Sequence, residues 1–120
     1  HGTWQAAKHP LVRGVLGRIV RDEAAHGIFG WTFLDWAADE LSPADRQHLA
    51  QIAGLTITAL TDSWKSIHGR KEVNRDDIHA LGWMDSEAYL ALAKRSLRTK
   101  VLGPRRARGI DPVCTLPDGV

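Results

Sequence analysis

Residues 10–41 read PLVRGVLGRIVRDEAAHGIFGWTFLDWAADEL, and the spacing within them decides the fold. Val12, Leu16, Ile19, Glu23, His26, Gly30, Phe33 and Ala37 recur in alternating steps of four and three. That rhythm places them on one face of an α-helix. A second row, Val15, Ile19, Asp22, His26, Phe29, Phe33 and Trp36, widens the face. Pro10 suits the first turn, where its missing N–H costs nothing. The expectation is one helix from Pro10 to about Leu41, with Asp22, Glu23 and His26 interrupting the middle of a buried apolar stripe.

The chain beyond it also reads as helical. Ser42-Pro43-Ala44-Asp45 carries an N-cap serine, a first-turn proline and an acid three residues after the cap. A second helix then runs to about His68, with Leu49, Ala53, Thr56, Leu60, Trp64 and Ile67 inward and Gly69 as its stop. The short connection predicts that the two long helices are antiparallel neighbours. Residues 69–85 form a polar linker holding a short helical turn at Asp76–Leu81, closed by Gly82. Asp85 or Ser86 caps a third helix, Glu87 to about Leu102, with Tyr89, Leu90, Ala93, Leu97 and Val101 apolar. Gly103-Pro104 is expected to break it and leave an extended tail. The chain is thus expected to be all-α, with residues 1–102 helical and 103–120 an extended tail.

Composition narrows the function classes. With 43% hydrophobic and 25% charged residues among 120, the chain is ordinary for one globular domain. No apolar run approaches the ~20 residues of a membrane span. Cys114 stands alone, which excludes an internal disulfide and a thiolate metal cluster. A cytoplasmic setting is the expectation from that lone cysteine and the lack of a secretion signal. The formal charge is only +2. Seven cations nonetheless gather between Lys94 and Arg108 with no acid among them. Cations at a helix C-terminus complement its dipole. Aromatic and amide side chains suited to reading bases are not interleaved with them, so nucleic-acid binding is not expected. The tryptophans at 4, 31, 36, 64 and 83 are expected in core or interface packing.

Glu23-x-x-His26 is the sharpest chemical feature. Side chains three apart on a helix point the same way, so a carboxylate and an imidazole can grip one metal or a bridged pair. Such donors suit iron or manganese, whereas zinc sites are usually richer in His or Cys. Asp45-x-x-His48 and Asp76-x-x-His79 share the spacing, which chance supplies about once in such a composition. Asp45 already has a capping role, and Asp76 lies in the linker. The competing reading of Glu23 and His26 is a buried carboxylate satisfied by Arg18 or Arg21 beside a core histidine.

From Arg21 to Gly27, with Phe29, Trp31 and Phe33 following, the sequence resembles the last metal-ligand helix of ferritin-like di-iron carboxylate proteins. It is especially similar to the RDExxHG helix of the ribonucleotide reductase small subunit. The resemblance covers Ile19 to Trp36. It implies a ferritin-like bundle fragment in which Glu23 is a carboxylate ligand, His26 an imidazole ligand and Asp22 an acid that orients a metal-bound histidine. It also implies a di-iron or di-manganese centre that activates oxygen or handles iron, and so a possible di-metal oxidoreductase.

The chain departs from that pattern. The family uses two Glu-x-x-His pairs and two lone Glu residues across four helices. Here the second helix offers Thr56, Thr58 and Thr61 mid-face, and the third offers only Glu87 at its start. The missing ligands are therefore expected from a segment upstream of His1 or from a second subunit, in a homo- or hetero-oligomer. The alternative function is a non-catalytic helical interaction module whose basic C-terminal segment meets an anionic partner.

Overall fold

The computed structural model describes residues 1–67, 75–116 and 118, and every described element is helical. The elements are α1 (Gly2–Ala6), α2 (Pro10–Trp36), α3 (Pro43–Lys65), α4 (Arg75–Ala80), α5 (Ser86–Ser96), a π-helical turn over Leu97–Leu102, and α6 (Gly103–Arg106). The all-α expectation holds. The second helix ends at Lys65 with Ser66 as its C-cap, short of the expected His68, while Gly69 and the tail residues Pro117 and Gly119 lie outside the described residues. No described helix is long and apolar enough to cross a membrane.

Local chemistry sets the element ends. Ser42 and Asp45 form the capping box expected of them: the Ser42 Oγ accepts from the Asp45 amide at 3.2 Å, and the Ser42 amide donates to Asp45 Oδ2 at 3.0 Å. Two otherwise unpaired amides are satisfied reciprocally, so α3 starts where the sequence places it. Gly82 closes the α4 turn with φ of 86°, a left-handed conformation that glycine adopts freely. A Cβ there would press on the Thr3 carbonyl and Ala7, which shows how closely the end of α1 seats on this turn. The amides of Lys8 and His9 both donate to the Ala80 carbonyl. Gly2–Ala6 had no helical signature of its own in the sequence, and these contacts account for its order.

The core lies between α3 and the C-terminal third. Ile57 and Trp64 meet Leu90, Leu97 and Leu102, with Ile67, Ala93, Val101, Cys114 and Leu116 packed around them. Five residues apart, Leu97 and Leu102 would sit on different faces of an α-helix. The wider π-turn brings both into the core. The expected break at Gly103-Pro104 does not occur: Gly103 is helical, and Pro104 takes a first-turn position of α6. The segment expected to be a free extended tail instead buries Ile110 to 1% exposure and docks its backbone on α3, where the Val113 amide donates to the Ala50 carbonyl. That docking rotates the buried face of α3. Ala50, Ala53, Gly54, Ile57, Thr61 and Trp64 are inward, while Thr56 and Leu60, expected inward, are exposed.

Helix α2 differs most from expectation. It contains no buried residue, and Arg21 to Gly30 are all exposed. Rather than lying along α3, it holds α1 against its N-terminal half and the C-terminal segment against its last turns. The radius of gyration is 17.0 Å, against roughly 13–14 Å for a compact chain of this length. Of the tryptophans, Trp64 is buried, while Trp36 and Trp83 are exposed. Of the expected stripe and its second row, Val15, Ile19, Phe29 and Phe33 are bare because no other described element lies over them, while Val12 and Leu16 are half-buried and Ala37 is buried.

Candidate metal-ligand helix

Helix geometry brings Glu23 and His26 together. Glu23 Oε2 lies 3.3 Å from His26 Nδ1, the i, i+3 contact anticipated from the spacing. Both side chains stand in solvent, at 66% and 77% exposure respectively. The competing reading of a buried carboxylate neutralised by an arginine and a core histidine does not describe them. Arg18 instead engages Asp22, at 3.1 Å between Nε and Oδ2. Asp22, anticipated as the acid that orients a histidine, thus faces Arg18 within its own helix.

The surroundings of the pair are apolar and open. With 3.6 residues per turn, Leu11, Val15, Ile19, Asp22, His26, Phe29 and Phe33 occupy one sector of α2. All are exposed, from 49% for Ile19 to 71% for Leu11 and Phe29 among the apolar members. The opposite sector meets the rest of the molecule. Trp4 of α1 covers Gly17, and Arg13 donates to the carbonyls of Trp4, Gln5 and Ala7. His26 thus sits near the middle of an apolar ridge about 33 Å long from Leu11 to Phe33, at ~1.5 Å per residue, with Glu23 on its flank.

The other acid–histidine pairs do not assemble in this way. Asp45 is occupied by Ser42, whose hydroxyl and amide hold its carboxyl below the usual range. His79 turns to Asp85, at 3.4 Å, rather than to Asp76. Among the described residues no three His, Cys, Asp or Glu side chains converge as a metal cage. Glu23 and His26 are thus a pair of donors, one carboxylate and one imidazole, with no third such side chain beside them among the described residues.

A second cluster, at the far end of α2, was not foreseen. Arg108 Nε and Nη2 donate to the two oxygens of Asp35 at 2.6 and 2.7 Å, and Nη1 donates to the Pro104 carbonyl. The Arg108 and Arg105 guanidiniums lie 5.2 and 5.8 Å from the centre of the Trp31 ring. Arg46 ties the same corner from α3, donating to the carbonyls of Arg108 and Ala38, both at 2.7 Å. One signal in the sequence pointed here. An acid in the last turn of a helix opposes the dipole and needs a cation. Arg106 pairs with Asp111, and Lys94 donates to the Asp118 carbonyl. Much of the basic segment is thereby engaged within the chain.

No family model matches the chain, and no characterised protein or solved structure is significantly similar to it.

Proposed function

We propose that this chain contributes Glu23 and His26 as the carboxylate and imidazole ligands of a ferritin-like di-iron or di-manganese centre. The observation that carries the reading is their juxtaposition at 3.3 Å, halfway along a helix whose apolar sector is bare on both sides of them. Ionisable side chains in the middle of an apolar face become costly once that face is covered, unless they bind something there. A metal pair is the partner their chemistry fits. The remaining ligands come from helices of another segment or subunit laid on the same face.

When bound, iron or manganese in such a setting supplies redox chemistry with oxygen or peroxide. The part of this chain is to hold and enclose it. Glu23 offers a charged oxygen donor and His26 a neutral nitrogen donor. Val15, Ile19, Phe29 and Phe33 exclude water from the centre once a partner covers them. Under this reading the basic segment is structural, in keeping with the engagement of Arg106 and Arg108 by Asp111 and Asp35.

Metal analysis of the protein recovered with its natural partners tests the reading. Stoichiometric iron or manganese is expected, lost in Glu23→Ala and His26→Ala while the helical circular dichroism is unchanged. Protein that stays metal-free with all its partners present would overturn it.

A further inference from the structure

The bare sector of α2 is complementary to itself. Helix α2 runs from Pro10 to Trp36, and its midpoint falls within a residue of Ala24. Laying a second copy antiparallel across it, with a twofold axis at Ala24, sets positions equally distant from Ala24 against each other. Val15 then faces the partner's Phe33, and Ile19 faces the partner's Phe29. Those four side chains are the exposed apolar members of the central sector. Just beyond the helix ends, the exposed Lys8 and His9 come to the same end of the pair as the partner's exposed Asp39 and the partner's Glu40. The chain just before the helix is basic at Lys8 and His9 and the chain just after it is acidic at Asp39 and Glu40, so the antiparallel arrangement brings opposite charges to each end of the pair. A parallel arrangement would set like charges together.

We infer that the exposed α2 face docks a second copy of this chain in this antiparallel register. The interface is isologous, each contact made twice, as in most homodimers. Packed helices lie 8–10 Å apart, and Gly30 at the edge of the sector, with nothing near its Cβ position, permits close approach. The register also has a consequence for the ligand pair, which rests on the reading of Glu23 and His26 as ligands. Asp22 falls opposite the partner's His26, and the two Glu23/His26 pairs converge beside the axis. Two carboxylate ligands, two imidazoles and two supporting acids then share one apolar seam, a donor set for a bridged pair of Fe²⁺ or Mn²⁺ ions.

Sedimentation of the 120-residue chain is the test, with and without Mn²⁺. A dimer is expected that Phe33→Asp converts to monomer. Phe33 is exposed in the single chain, so the substitution spares the fold. Lys8→Glu and Glu40→Lys should each weaken the dimer roughly two- to thirty-fold, the range for two symmetry-related exposed ion pairs, and the double variant should restore it. In a Cys114→Ser background, Val15→Cys with Phe33→Cys should cross-link between copies through a short bismaleimide. A chain monomeric up to sub-millimolar concentration, or a dimer indifferent to Phe33→Asp, would overturn the inference. Equilibrium dialysis against Mn²⁺ separates it from the ligand reading. A dimer of the expected register that takes up no Mn²⁺ upholds the docking and counts against the ligands. A monomer that binds Mn²⁺ through Glu23 does the reverse.

Discussion

Arg108 grips both carboxylate oxygens of Asp35 across 73 residues of chain, and so joins the last turn of α2 to the C-terminal segment. A planar guanidinium matches a carboxylate in two parallel hydrogen bonds, a geometry lysine cannot reproduce. Arg108→Lys should therefore resemble Arg108→Ala more than the parent. Both should speed trypsin cleavage after Arg105 and Arg106, because the docked segment opens more often. Unchanged cleavage in both variants would mean that Ile110 and Val113 hold the segment without the clamp.

The same pair makes the docking acid-sensitive. Hydrogen bonding from Arg108 is the main cause that lowers the Asp35 carboxyl below its ordinary 3.8, opposed by partial desolvation and assisted by the arginine's charge. A depressed folded value means that stability is complete above the unfolded value and is lost as pH falls through the folded one. The clamp should thus be intact at any pH above about 4 and open below the ordinary carboxylate range. Carboxyl ¹³C NMR should show Asp35 titrating low in the parent and close to its ordinary value in Arg108→Ala. An ordinary midpoint in the parent would refute the clamp in solution.

Gly54 should tolerate no side chain. A Cβ built there collides with the Val113 carbonyl, a backbone atom that cannot swing aside. Gly54→Ala gains helix propensity in the middle of α3, worth about 1 kcal/mol if nothing stood in the way. Overpacking usually costs about 1–3 kcal/mol, so a net loss is expected. Urea denaturation gives the sign. A stabilised Gly54→Ala would show that the segment after α6 does not lie on α3.

Local signals in this sequence were legible, and tertiary ones were not. The Ser42/Asp45 box, Pro10 and Gly82 act within a few residues, and each falls where its chemistry dictates. The Glu23–His26 contact was legible for the same reason, since helix geometry alone creates it. The inward face of α3 was not, because what covers Ala50 and Gly54 is a segment some sixty residues away that has no periodic pattern of its own. Pattern also cannot tell a buried face from one awaiting a partner. The stripe of α2 reads as core, yet Val15, Phe29 and Phe33 are exposed in the single chain.

That distinction can be measured as two kinds of leucine-sized loss. Leu97 is 3% exposed and Ile57 4%, both within the one cluster that joins α3 to the C-terminal third. Truncating either to alanine removes buried methylenes and leaves a cavity, at a cost of about 2–5 kcal/mol. Val15→Ala and Phe33→Ala remove apolar groups that solvent already reaches, so in the dilute monomer they should change stability by about 0.5 kcal/mol or less. The contrast should narrow as protein concentration rises, because any partner that covers α2 adds its binding energy to folding. Denaturant midpoints at two concentrations decide the matter. Phe33→Ala as costly as Leu97→Ala at the lower concentration would place the α2 ridge inside a monomer core. A cost that appears only at the higher one identifies it as a surface made for association.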